Sequence, residues 1–254
     1  MRVLKVGGRP QVDPALVEAI AEAHRAAPGA TVIVHGGGDE VSSLQRLYGV
    51  SAEFKGGRRV TSCLDLDIIR MALSGSANKR LVSALVGAGV PAVGLSGEDA
   101  ALLTAHAVDL ASFGFVGHPA AVNAGLIAYL CAGGFVPVIS PVSRNADASE
   151  GHTLNVNGDD AAAAIAIAME ADELLLVSDV EGVLDGGAMI AKLDLERAQQ
   201  LIDDGIAIGG MSAKVQAATT ALEGGVQRVR ISDIAAINCV DRGTSLTQVG
   251  SLRA

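Results

Sequence analysis

The sequence predicts an α/β protein with a mostly parallel sheet covered by helices on both faces. Three observations carry this. Short apolar runs alternate with helical patterns along all 254 residues. Strands that alternate with helices form parallel sheets, because each crossover lays a helix on the sheet. Half of the residues are apolar, enough to fill the core between three layers. The 31 glycines follow no G-X-Y period and cluster where apolar runs end, which points to tight turns and close backbone approach to a ligand.

The elements follow in order. Arg2–Val6 is an apolar run that ends in Gly7-Gly8. A helix is expected from Asp13 to about Ala27, with Asp13 as N-cap and Pro14 at the first helical position. Thr31–Val34 is β-rich and ends in His35-Gly36-Gly37-Gly38, and a helix should run from near Asp39 to Tyr48. Leu64 to Val86 reads as one long helix, or two interrupted near Gly75. Pro91–Leu95 reads as a buried strand, Leu102–Val108 as an antiparallel hairpin strand, Asn123–Ala132 as a helix and Phe135–Ser140 as a strand. The polar stretch Arg144 to His152 suggests a hairpin loop. Asp159–Met169 is an Ala-rich helix, Glu173–Val177 a strand, Leu195–Asp204 and Met211–Glu223 helices, and Arg228–Ile231 a late strand. Two lobes sharing this one sheet would divide near Ala171, giving 1–171 and 172–254.

Composition excludes several classes. Nineteen basic against 28 acidic residues give a net charge of −9, which leaves no basic footprint for nucleic acid. With no Trp, two Tyr and four Phe, base-stacking platforms have little to be built from. Cys63, Cys131 and Cys239 are widely spaced and odd in number, against structural zinc or a disulfide framework and in favour of a reducing compartment. The histidines lack metal-site spacing, and no dedicated metal site is expected. Met1–Gly8 has no signal-peptide pattern, and the most membrane-like stretch, Ala124–Val142, is broken by Gly133, Gly134, Pro137 and Pro141. The expectation is a soluble cytoplasmic protein without a membrane partner.

Ligands of open α/β sheets bind beyond the carboxyl ends of the strands. Two glycine clusters stand there, one preceded by Lys5 and one by His35. Bare backbone N–H groups leading into helix N-termini suit a phosphate or carboxylate. Neither G-x-x-x-x-G-K-[ST] nor G-x-G-x-x-G is present, so an ATP site would need another scaffold. Asn155, Asn157 and Asp159 alternate and would point to one side of an extended segment, although Asp159 also suits a helix N-cap. Ser178–Leu184 suits a ligand loop or an ordinary hairpin. Lys214 falls in the first turn of a helix, where lysines are mostly solvated.

Taken together, the segments Lys5–Gly8, His35–Gly38, Gly57–Thr61, Gly75–Lys79, Asn155–Asp159, Ser178–Leu184 and Gly210–Lys214 resemble the motifs of the amino acid kinase family, in the family's order and over nearly the whole chain. The resemblance is strongest to the branch that phosphorylates N-acetylglutamate. It implies a three-layer αβα open, mainly parallel sheet shared by two lobes, an N-terminal one for the acylated amino acid and for dimerisation and a C-terminal one for the nucleotide. It implies ATP and an N-acylated glutamate as substrates, with magnesium carried on the ATP phosphates. Lys5 and Lys214 would hold the transferred phosphoryl group and Asp159 would orient both. Backbone N–H groups of Gly8, Gly37 and Gly38 would contact the γ-phosphoryl oxygens and the substrate. Arg59 and Asn155 would bind its α-carboxylate, leaving Arg58 solvated. Asp179, Val180, Glu181, Gly182, Val183 and Leu184, with Ile206, Ala207 and Ile208, would line the nucleotide site. His35 would shape the glycine turn. The acyl group would be selected around Phe113, Phe115 and Leu73–Ala77. Kinases of a related acid (N-succinylglutamate, or a glutamate or aminoadipate carried on a protein) and a non-catalytic amino-acid-sensing domain are the competing readings. Arginine-inhibited members of the family carry an extra N-terminal helix that links dimers into a hexamer, so the resemblance, with the early start of the first strand, implies a homodimer insensitive to arginine.

Overall fold

The computed structural model describes residues 1–55, 58–147 and 153–248. Gly57, and 148–152 of the expected Arg144–His152 loop, lie outside the described residues.

Consecutive apolar residues build the centre of the sheet. Strands β1 (Arg2–Val6), β2 (Thr31–His35) and β10 (Glu173–Val177) are buried almost throughout, as strands covered on both faces must be. β1 pairs in parallel with both β2 and β10, and β10 pairs in parallel with β14 (Arg228–Ser232). On the other side β2 pairs with β8 (Val136–Asn145), which also carries β5 (Ala92–Gly97). Antiparallel pairing appears towards the rims. β6 (Leu103–Ala107) forms the expected hairpin strand with β7 (Val116–Val122), and β8 returns against β9 (Thr153–Val156). At the far edge β15 (Thr244–Thr247) joins β14 to β13 (Lys192–Asp194). All eleven strands form one sheet.

Helices cover both faces. On one, α1 (Pro14–Ala26) and α4 (Asn78–Gly87) pack Leu16, Ile20, Leu81 and Leu85 against Leu4, Ile33 and Val177. On the other, α6 (Ala124–Ala132), α7 (Gly158–Ala168), α8 (Leu195–Asp203) and α9 (Gly210–Glu223) pack against Val3, Val34 and Leu176. The run of alanines in α7 lets it approach α9 and the sheet closely; Ala161, Ala162 and Ala166 are fully buried. Asp13 caps α1 by accepting from the Ala15 amide, with Pro14 next, as expected.

Three elements escaped the sequence or resolve alternatives that it left open. The path from α3 (Cys63–Ile69) to α4 does not break at Gly75; it continues through a wide π-type segment, Arg70–Ala77, whose joints keep helical dihedrals. β7 escapes the pattern because Gly117, His118 and Pro119 interrupt its apolar alternation. Asp159 is not the N-cap of α7: Asn157 is, its side chain accepting from the Asp159 amide at 2.7 Å. No helix among the described residues is long and apolar enough to cross a membrane.

Candidate active site

The carboxyl ends of β1 and β2, the start of α7 and the start of α9 converge on a cavity of about 280 Å³. Lys5, near the end of β1, lies 2.8 Å from Asp159 Oδ1, and Lys214, in α9, lies 3.6 Å from Asp159 Oδ2. These side chains are only 7%, 6% and 13% exposed, so two ammonium groups and one carboxylate share a nearly dry place. Burial alone would raise the Asp159 pKa, but the two ammonium groups outweigh it and hold the carboxyl below its ordinary range. Burial, with Lys5 adding like-charge repulsion, pushes Lys214 below the usual lysine value. The trio therefore carries a net positive charge turned to the cavity, in want of an anion.

Glycines line the same cavity. The first cluster follows β1 and the second links β2 to α2 (Gly38–Leu47). A Cβ on Gly8 would stand 3.5 Å from Gly37 Cα. Gly37 has φ +149°, and a Cβ there would come within 2.8 Å of Leu73 Cδ2. His35 is fully buried below this turn. Its Nδ1–H donates to the Gly36 carbonyl at 2.9 Å, and its Nε2 accepts from Asn78 Nδ2 at 3.0 Å. Both bonds suit the neutral ring, and burial lowers its pKa to about 4. His35 thus shapes the turn, as expected.

The hairpin of β3 (Phe54–Lys55) and β4 (Arg58–Arg59) brings in two arginines. Arg59 lies over the Phe54 ring, 4.7 Å from its centroid. Its Nη2 donates to Gly38 O at 3.1 Å and Ser42 Oγ at 2.9 Å, and its Nη1 donates to Gln45 Oε1. Arg58 is not solvated as expected. It pairs with Asp160 at 3.1 Å, the two side chains being 28% and 16% exposed. The adjacent acids of α7 thus face different cations, Asp159 the lysines and Asp160 Arg58. Asn155 Nδ2 donates to Thr61 Oγ1 at 3.1 Å, tying β9 to the end of this hairpin segment.

Lys5, Gly8, Gly37, Gly38, Arg59, Asn155, Asp159 and Lys214 all line the one cavity. The residues expected at the nucleotide do not. Asp179 pairs with Arg9 at 2.7 Å and borders a separate cleft beside α1, although its charge is felt at Lys214. Val183 is buried, its amide donating to Thr244 Oγ1 at 2.8 Å, and Ser232 Oγ donates to the Glu181 carbonyl at 3.0 Å. A Cβ on Gly182 would stand 2.6 Å from Thr244 Oγ1. Val180 is half-buried and Leu184 is exposed at the start of a two-residue strand. Ile206 and Ile208 are exposed just before α9, with Ala207 buried between them. The apolar lining of the cavity includes Phe54, Leu73 and Val116; of the residues expected around the acyl group Leu73 lines it, and Phe113 and Phe115 do not. Gln45, Asp65 and Asp160 escaped the sequence reading. The signal for Gln45 was its place four residues after Val41 on the buried face of α2, where an apolar residue is the norm. Among the described residues no three metal-ligating side chains cluster.

A profile described as the amino acid kinase family matches residues 1–233. Acetylglutamate kinase of Geobacillus stearothermophilus is 41% identical over 231 residues, 90% of this chain and 88% of the relative. Acetylglutamate kinase of Chloroflexus aurantiacus (strain J-10-fl) is 41% identical over 247 residues, 96% of each chain. Among solved structures, smu.665 from Streptococcus mutans UA159 superposes with a TM-score of 0.87 at 30% identity, covering 97% of this chain and 98% of that one. By motif order, fold and these matches, the chain belongs to the amino acid kinase family.

Proposed function

We propose that the protein moves the γ-phosphoryl of ATP to the γ-carboxylate of N-acetyl-L-glutamate, giving N-acetylglutamyl 5-phosphate in arginine biosynthesis. The observation that carries this reading is the buried Lys5–Asp159–Lys214 trio, which shares one cavity with two glycine turns. The kinship with acetylglutamate kinases supplies the substrate.

The chemistry suits the groups present. A side-chain carboxylate has a pKa of about 4.3 and is already ionised at neutral pH, so no general base is needed. The difficulty is to bring an anion against a polyanion, and phosphoryl transfer rests mainly on positioning and charge compensation. Lys5 and Lys214 flank the migrating group, Asp159 keeps them together, and N–H groups of Gly8, Gly37 and Gly38 bind phosphoryl and substrate oxygens without bulk. Arg59 and Asn155 hold the α-carboxylate. Asp179–Leu184 and Ile206–Ile208 bind the nucleotide beyond Lys214. Both oxygens of Asp159 face ammonium groups and Asp179 pairs with Arg9, which fits a magnesium ion held by the ATP phosphates, where it would neutralise their charge.

In this reading 1–171 forms the acyl-amino-acid lobe and 172–254 the nucleotide lobe. The three free cysteines fit a cytoplasmic setting, and exposed Met71 and Val86 between α3 and the end of α4 suit a pairing face for a homodimer. The deciding experiment is an ADP-release assay with N-acetyl-, N-succinyl- and unsubstituted glutamate. Turnover should be greatest with the acetyl compound; a clear preference for either of the others overturns the substrate assignment.

A further inference from the structure

Arg59 is held from behind the cavity as well as from within it. Gln45 Oε1 accepts from Arg59 Nη1, and Gln45 Nε2 donates to Asp65 Oδ1 at 2.5 Å. Asp65 Oδ2 in turn accepts from Ser62 N at 2.9 Å and Ser62 Oγ at 2.6 Å, closing a capping box on α3. A bonded chain therefore runs from a helix cap through a buried amide to the guanidinium. Gln45 is 1% exposed and is not among the residues that line the cavity, so it does not touch a ligand bound there.

The position on α2 does not itself ask for an amide. Val41, one turn earlier on the same face, is apolar and buried, and an apolar side chain at 45 would avoid the cost of burying a polar group. The Asp65 carboxylate also fixes which way round the amide stands. Asp65 can only accept, so the nitrogen of Gln45 must face it and the oxygen must face Arg59. Three of the five guanidinium N–H groups of Arg59 are then committed to Gln45, Gly38 and Ser42, and two remain for a ligand.

We propose that Gln45 is a positioning residue for substrate recognition: it couples the Asp65 cap to Arg59 and so fixes the guanidinium in the orientation that receives the substrate's α-carboxylate. The proposal rests on the assignment of Arg59 to that carboxylate. Its consequence is that Gln45 governs affinity for the acyl amino acid, not ATP affinity and not the transfer step.

The test is steady-state kinetics on the full chain. Gln45→Met keeps the side-chain length and removes both hydrogen bonds. KM for N-acetylglutamate should rise about tenfold, the scale of one lost charge-assisted hydrogen bond, with kcat lowered less than about threefold and KM for ATP unchanged. The double variant Gln45→Glu with Asp65→Asn exchanges amide and carboxylate and can remake both bonds; it should return KM to within about threefold of wild type. An equal rise in both KM values, a loss confined to kcat, or failure of the exchange to restore KM overturns the proposal. Where Gln45→Met does not fold, the exchange compared with Asp65→Asn alone decides the matter in the same way. Arg59→Lys separates the two assignments: an unchanged KM removes Arg59 from the substrate, whereas a raised KM beside a wild-type value for Gln45→Met removes only Gln45.

Discussion

Asp159→Asn takes the negative charge from between two buried ammonium groups without changing the shape of the side chain. At the observed separations of 2.8 and 3.6 Å, each pair attracts by roughly 5–6 kcal/mol for an effective dielectric constant of about 20. Desolvation offsets much of that, and removing one partner of a buried pair typically costs about 3–5 kcal/mol because the remaining charge is left uncompensated. For a domain of this size the melting temperature should fall by on the order of 10 °C. The same loss frees two cations for an anion, so MgATP without acceptor should raise the melting temperature of the variant by more than that of the wild type. Turnover should fall about 10²–10³-fold, since neither lysine is held in line. Thermal melts with and without MgATP, together with kcat, test all three points. A variant that melts within about 2 °C of wild type and turns over normally would refute the idea that Asp159 joins the lysines.

Three further outcomes follow from the same geometry. Lys5→Met and Lys214→Met should each lower kcat about 10²–10³-fold, and a loss smaller than about fivefold in either would remove that lysine from the transfer step. His35, with a folded pKa of about 4, is neutral when folded and binds a proton more readily when unfolded, so its contribution is complete above about pH 6.5 and is lost as pH falls towards 4. Urea unfolding should show about 2 kcal/mol of this loss between pH 7 and pH 5 that His35→Gln lacks; equal pH slopes for the two proteins would contradict it. Arg230, 1% exposed, pairs with Glu173 and donates to the carbonyls of Ala236, Cys239 and Arg242. Arg230→Met should cost about 3–5 kcal/mol in denaturant unfolding, and adding Glu173→Met should recover part of it; a single-variant loss below about 1 kcal/mol would argue that solvent already screens the pair.

The pattern of buried runs and glycine clusters sufficed to place β1, β2, α1 and α2 and the turns between them. Their signals are local: Asp13 and Pro14 begin a helix, and short Val/Leu/Ile-rich runs that end in glycines make strands covered on both sides. The motif series likewise picked out Lys5, Asp159 and Lys214, because kinship of sequence preserves their order along the chain. β7 was hidden because its residues are half solvent-facing and carry Gly and Pro, so no alternation betrays them. The pairing of Arg58 with Asp160 was hidden because the two positions lie on different elements, and a charged residue looks solvated until a partner is brought to it.

By itself, then, the sequence determined the order of the central strands and the helices that cover them, the net negative charge of the chain, and which residues are the candidates to hold an anion. These depend on residue type and near-neighbour spacing. Only the tertiary structure decided that Asp159 stands between two lysines rather than capping its helix, and that Asp160, one residue on, serves a different cation. It also decided that Gln45 connects a helix cap to Arg59. Each of these is a contact between separate elements, where the partner is chosen by packing and by the cost of burying an unpaired charge, and none is written in any short stretch of chain.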